Sequence, residues 1–316
     1  MILWAAQWNQ DGSAFAVGGE HTLWIYDTDT LGRDSLLEGH DARPATEDIP
    51  YASVTHIEWH PSRDLIAVSS QGVGINAIYE PSTGGRIILP PLEDNSGRGV
   101  AWSPSGDRLA VSSPGDGHLR IYDAAGTLLH DVPRFGDARG LTGVAWSPTG
   151  DRIVTIGSRI TLHDERGTPL RQILHRPGAE DGRHLLLSAA WHPSGDFFVV
   201  GDYGTDNDDP VLQFWTRDGE PIRSTTLEGD RELRNIAWAP DGTRFATSSS
   251  RLAIWSEAGD LLASTGAPDL LWGVSWHPHS DTILTSDIVG RITLWSDQAE
   301  FVEHIRVPDA RREDPR

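Results

Sequence analysis

The sequence predicts an all-β fold, a seven-bladed β-propeller with four antiparallel strands per blade. Three observations predict it. A tryptophan within a short apolar stretch recurs at Trp8, Trp59, Trp102, Trp146, Trp191, Trp238 and Trp276, at intervals of 38 to 51 residues. Each is followed by a Pro- or Gly-containing turn and a second apolar run. A third run then ends in an aromatic residue or histidine, and a weaker fourth run completes the unit. Runs this short, rich in β-branched and aromatic residues and bounded by Pro, Gly, Ser and Asp, favour strands over helices. Four-strand units recurring at about 40–45 residues are the sequence signature of propeller blades.

The first strand and its turn are clearest in two copies, Gly99-Val100-Ala101-Trp102-Ser103-Pro104-Ser105-Gly106-Asp107 and Gly143-Val144-Ala145-Trp146-Ser147-Pro148-Thr149-Gly150-Asp151. The second strand follows at once, as Arg108-Leu109-Ala110-Val111 and Arg152-Ile153-Val154-Thr155. Third strands end at Tyr26, Tyr79, Tyr122, His163, Trp215, Trp255 and Trp295, usually with a short polar residue after them. Fourth strands are expected at 127–132, 260–263 and 301–306. One blade cannot cover both of its faces, but seven around an axis cover one another, with the recurring tryptophan between neighbours. Residues 1–306 are therefore expected to form a single propeller and 307–316 a charged tail. On this phasing the ring closes between units seven and one through side chains, without exchange of a strand.

Composition narrows the function. The formal net charge of −20 opposes a phosphate backbone, so nucleic acid is not expected as a ligand. With no cysteine, disulfides, thiolate nucleophiles and Cys-ligated zinc are excluded. All 26 basic residues are arginine, which suggests a GC-rich bacterial source. The start, Met1-Ile2-Leu3-Trp4-Ala5-Ala6-Gln7, has no basic leader and turns polar too early for a signal peptide or a membrane span, so a cytoplasmic location is expected.

Seven tryptophan units in phase resemble the WD-repeat (WD40) propellers, over residues 1 to about 306, as a divergent, bacterial-type member. The resemblance implies a module that holds other proteins. It also implies that the loops before strand one and between strands two and three share one face, the top. The departures are specific. The family's Gly-His pair before the first strand is present only as Gly39-His40, with Gly229-Asp230 a partial echo. The Asp of the turn before the third strand is matched by Asp116 and, less clearly, by Asp209, while Val289 stands there in the seventh unit. No unit is expected to hold the family's complete hydrogen-bonded set of His, Ser or Thr, Asp and Trp.

Candidate binding residues lie on that top face. Trp4 and Trp272 stand four residues before Trp8 and Trp276, in blades that become neighbours when the ring closes, and Arg98 and Arg234 hold the same register elsewhere. Tryptophan and arginine concentrate binding energy in interfaces, because they combine large area with directed hydrogen bonds; the bland alternative is packing for the tryptophans and solvation for the arginines. Three long loops, 40–53, 176–186 and 202–210, would project from the same side. In the last, Asp206, Asp208 and Asp209 could receive arginines from a partner or ligate Ca²⁺, though the loop lacks EF-hand spacing and its terminal Glu; a solvated acidic loop is the plainest reading. His60, His192 and His277 each follow a core tryptophan in a Trp-His-Pro turn and fall in different blades, so neither a metal site nor a proton relay can be assembled from them.

No Gly-x-Ser-x-Gly elbow, His-Glu-x-x-His helix or phosphate loop occurs. The expected function is a non-enzymatic interaction scaffold or sensor module, with no cofactor, binding a basic or amphipathic segment of a protein partner through Trp4, Trp272, Arg98, Arg234, Asp206, Asp208 and Asp209. No membrane partner is expected. The alternative is a propeller-type hydrolase or lyase with a channel site, using Ca²⁺ held by the three aspartates.

Overall fold

The computed structural model describes residues 1–20, 22–28, 34–37, 53–71, 76–90, 92, 97–137, 140–177, 179, 184–204 and 209–305. Blade 1 is β1 (Leu3–Trp8), β2 (Ala14–Gly19), β3 (Thr22–Asp27) and β4 (Asp34–Leu37). Blade 2 is β5 (Ser53–Trp59), β6 (Ile66–Gln71), β7 (Ala77–Glu80) and β8 (Gly85–Ile88). Blade 3 is β9 (Gly99–Trp102), β10 (Arg108–Ser112), β11 (Leu119–Asp123) and β12 (Leu128–Val132). Blade 4 is β13 (Gly143–Trp146), β14 (Ile153–Ile156), β15 (Ile160–His163) and β16 (Pro169–Ile173). Blade 5 is β17 (Leu186–Trp191), β18 (Phe197–Asp202), β19 (Val211–Thr216) and β20 (Pro221–Thr226). Blade 6 is β21 (Asn235–Trp238), β22 (Arg244–Ser248), β23 (Arg251–Ser256) and β24 (Leu261–Gly266), and blade 7 is β25 (Leu271–Trp276), β26 (Thr282–Asp287), β27 (Ile292–Ser296) and β28 (Phe301–Ile305). Among the described residues each of the seven sheets holds its four strands in sequence order, all antiparallel, as the repeat predicts. Blades 1 and 7 are each complete in themselves, so no strand is exchanged at the closure. Gly39, His40 and the tail 307–316 lie outside the described residues, as do most of the long loop ending at Ser53. Among the described residues no helix is long and apolar enough to cross a membrane.

The core lies between blades. Residues of blades 1 and 2 share one buried cluster that includes Leu23, Val54, Trp59 and Tyr79, while blades 7 and 1 share another that includes Leu284, Ile292, Leu3 and Trp24. The recurring tryptophans stitch these seams. The indole N–H of Trp59 donates to the carbonyl of Gln7 (3.1 Å), that of Trp102 to Glu58 (3.2 Å) and that of Trp191 to Ala145 (3.2 Å), each across to the preceding blade. Outer strands have a neighbour on one edge only, and there apolar side chains such as Leu128, Leu261 and Phe301 stay exposed.

The Trp-His-Pro turns have a structural role. The Nδ1 atoms of His60 and His192 accept from the backbone of their own turns, from Ser62 and Arg63 and from Ser194. This leaves Nε2–H to donate to the carbonyls of Gly106 (2.9 Å) and Gly242 (3.0 Å) in the next blade. The same rings lie edge-on to the next tryptophan, His60 to Trp102 at 4.8 Å, His192 to Trp238 at 4.7 Å and His277 to Trp8 at 4.7 Å. Three of the seven seams, the closing one included, thus carry a histidine staple. The turn aspartates also differ from expectation. Asp116 does accept from the His118 N–H and pair with Arg120, whereas in blades 5 and 7 that place is taken by Asp202 and Asp287 at the ends of the second strands. Asp209 instead accepts the Gly229 N–H.

Inside the blades, tryptophan–threonine hydrogen bonds link the third and second strands. Trp255 donates to Thr247 (3.0 Å) and Trp295 to Thr285 (2.7 Å), both third-strand indoles to second-strand hydroxyls. In blade 4 His163 stands in the tryptophan's place, with Nε2 2.9 Å from the Thr155 hydroxyl and Nδ1 2.9 Å from the Gly167 carbonyl. A carbonyl only accepts, so Nδ1 carries the proton and Nε2 receives the Thr155 hydroxyl. Burial therefore holds His163 neutral, its pKa lowered from 6.5 to about 4. Because the folded pKa lies below the unfolded one, the stability this provides is complete above pH 6.5 and is lost as the pH falls toward 4. Urea midpoints measured at pH 7 and pH 4.5 are expected to differ less for His163→Gln than for the wild type; an unchanged difference would show that His163 does not contribute to acid sensitivity.

Candidate partner-binding surface at the channel mouth

The first strands β1, β5, β9, β13, β17, β21 and β25 line the central channel. In four of them a bulge sits four residues before the tryptophan: the register skips Trp4, Thr55, Leu187 and Trp272. A bulged residue leaves the ladder and its side chain is re-aimed. In the other three blades the equivalent residues, Arg98, Thr142 and Arg234, directly precede the strand. All seven side chains converge on one small space of about 40 Å³ at the top of the channel, joined there by His56 and Asn235.

Trp4 and Trp272 meet edge-to-face with ring centroids 4.1 Å apart. The Arg234 guanidinium lies 3.9 Å over the Trp272 ring, donates to the Tyr203 hydroxyl (2.6 Å) and pairs with Glu232 at 2.6 Å. The Trp4 and Trp272 indole N–H groups are buried without a hydrogen-bond partner among the described residues. Arg98 completes the ring and has no ion pair among the described residues. Burial, and then the like charge of Arg234, lowers its pKa, and burial followed by Arg98 pushes His56 down to about 4, so His56 is neutral. The mouth of a strongly acidic chain is thus locally cationic.

Of the residues expected at the site, the structure brings Trp4, Trp272, Arg98 and Arg234 together. Asp209 lines an adjoining groove of about 540 Å³ that Arg234 shares with Tyr203, Asp230, Arg231 and Glu232. Asp206 and Asp208 lie outside the described residues, so the arrangement of the three aspartates is not on view. Among the described residues no group of three or more His, Asp or Glu is placed to hold a metal. His56, Thr55 and Tyr203 were not singled out by sequence reasoning as site residues; the signal for Thr55 was its register with Trp4, and none marked the Tyr203–Arg234 bond.

The family model described as "WD domain, G-beta repeat" matches residues 95–123, which run from the mouth at Arg98 through the first three strands of blade 3. A chain of the "Crystal Structure of Mitotic Checkpoint Complex" is similar in fold: it is 16% identical, with a TM-score of 0.76, over 92% of this chain and 86% of that one. In all, 1477 chains of solved structures match, so the architecture is widely shared and does not by itself point to a partner. No curated protein matches the sequence. Its repeats, its seven four-stranded sheets and the likeness in fold make the chain a seven-bladed β-propeller, of which residues 95–123 match the WD-repeat model.

Proposed function

We propose that the chain is a non-enzymatic protein-interaction module, a scaffold or the sensor portion of a larger protein, that receives an amphipathic segment of a partner on the face around the channel mouth. WD-repeat propellers are typically interaction scaffolds, and the solved structure similar in fold is by its title a complex. The single observation that carries the reading is the joining of Trp4, Trp272 and Arg234 into one packed, half-exposed aromatic–cation cluster that continues into the groove with Asp209. Apolar residues of the partner would cover the indoles, whose buried N–H groups lack acceptors. Its basic residues would lie over Asp209, where charge complementarity speeds and selects the encounter.

The test is affinity capture with the tagged protein, followed by titration of the purified partner. Removing two hot-spot side chains that together contribute about 2 kcal/mol or more should weaken binding by at least about thirtyfold in a Trp4→Ala, Trp272→Ala double variant whose melting curve shows that it remains folded. A partner that binds the variant as tightly as the wild type would move the binding surface elsewhere.

A further inference from the structure

Below the mouth the channel widens into a chamber of about 450 Å³ that opens toward the opposite face, past Asn9, Gln10, Pro240 and Pro278. Its wall is asymmetric. The residue before each core tryptophan reads Gln7, Glu58, Ala101, Ala145, Ala190, Ala237 and Ser275 around the ring. Where that residue has a side-chain oxygen, the oxygen accepts the backbone N–H of the next blade's tryptophan: Ser275 from Trp8 (3.1 Å), Gln7 from Trp59 (2.9 Å) and Glu58 from Trp102 (3.0 Å). The four alanines offer no such acceptor to the corresponding residues Trp146, Trp191, Trp238 and Trp276, of which Trp146, Trp238 and Trp276 line the chamber. The indole N–H of Trp238 also lacks a partner.

We propose that this chamber binds a small carboxylate-bearing molecule whose oxygens take, in blades 4 to 7, the places that Gln7, Glu58 and Ser275 fill in blades 2, 3 and 1. The ring itself shows what its tryptophan N–H groups donate to, because at three of seven positions the protein supplies a carboxyl, amide or hydroxyl oxygen of its own. Charge comes from the mouth above the chamber, where Arg234 is paired with Glu232 but Arg98 has no carboxylate among the described residues. Glu58 does not oppose an anion: burial pushes its pKa up to about 8, and at pH 7 it is mostly the neutral acid. Of the elements packed against β5, β1 presents Gln7, β9 follows Arg98, and β2 and β6 carry no ionisable residue. On β3 the ionisable residues Tyr26 and Asp27 lie outside the chamber lining, and on β5 itself His56 is already neutral. The chamber is reached from the face opposite the partner surface, although Arg98 and Arg234 belong to both.

Calorimetric titration of the purified protein with acetate, succinate, citrate and inorganic phosphate tests it, using wild type, Glu58→Gln and Ala145→Leu. At least one carboxylate is expected to bind at one per chain. Its affinity should fall about tenfold between pH 7 and pH 9 as Glu58 ionises. Glu58→Gln should bind with no such pH dependence, and Ala145→Leu, which adds bulk to the chamber wall, should weaken binding while melting as a folded protein. If Ala145→Leu does not fold, the contrast between the two pH profiles decides. No carboxylate binding, binding of phosphate alone, or binding that survives both variants with its pH profile unchanged would overturn the proposal and leave a channel that holds water.

Discussion

Trp102→Ala is expected to cost about 3–5 kcal/mol of unfolding free energy, the largest single-residue loss foreseen in this molecule. Trp102 is 4% exposed and packs with Ala67, Ile78, Val100, Leu109 and Tyr122 in the seam between blades 2 and 3. Its indole N–H donates to the Glu58 carbonyl, and the ring meets His60 edge-on at 4.8 Å. Truncation therefore removes apolar burial, opens a cavity between two sheets and strands an interblade acceptor at once. Trp238 is the internal comparison. It occupies the same place in blade 6 but is only half-buried and its indole N–H is unpartnered, so Trp238→Ala should cost clearly less. Urea unfolding followed by tryptophan fluorescence and circular dichroism measures both. Equal losses at the two sites would mean that the blade 2–3 seam has no special weight.

Gly106→Ala is expected to cost about 2–5 kcal/mol through two separable effects. Gly106 has φ of +74°, where an L-residue pays about 1–2 kcal/mol. A Cβ there would also lie 2.2 Å from the His60 ring, an overlap costing about 1–3 kcal/mol as the ring is displaced from its bond to the Gly106 carbonyl. Adding Gly106→Ala to a His60→Ala background removes the overlap and leaves only the dihedral strain. The second substitution should then cost at least about 1 kcal/mol less than it does in the wild type, a coupling readable from a double-mutant cycle. Strict additivity would show that His60 yields freely and that the staple adds nothing to the seam.

Much of this architecture is legible along the chain because a blade is a local object. Gly99 to Asp123 holds three strands, a Ser-Pro-x-Gly turn and the closing Tyr122, and every one of those signals acts over fewer than about ten residues. The outer strands β8, β12 and β28 are largely exposed and carry a weaker apolar pattern, yet the runs at 127–132 and 301–306 mark β12 and β28 to within a residue. The mouth was half legible. Trp4, Arg98, Arg234 and Trp272 share a register that can be counted, while the role of Tyr203 as a hydroxyl acceptor for Arg234 depends on how blades 5 and 6 are placed. The Trp-His-Pro histidines were read as turn residues in separate blades, and the bonds of His60 and His192 to the turns of the next blade could not be read from spacing, since each spans 46 residues or more.

The sequence by itself determined the number of blades, the strands within them and the aromatic residues that end up buried, because strand period, turn chemistry and burial of tryptophan are short-range demands repeated seven times. The tertiary structure alone decided what happens at the axis. Closing the ring sets Trp4 against Trp272, 268 positions away, and turns seven separate residues at one register into a single mouth. It likewise makes the alternation of Gln7, Glu58, four alanines and Ser275 into a chamber with one polar and one open wall. A residue facing the axis has its neighbours in other repeats, and the chemistry of such a place exists only once symmetry has brought the repeats together.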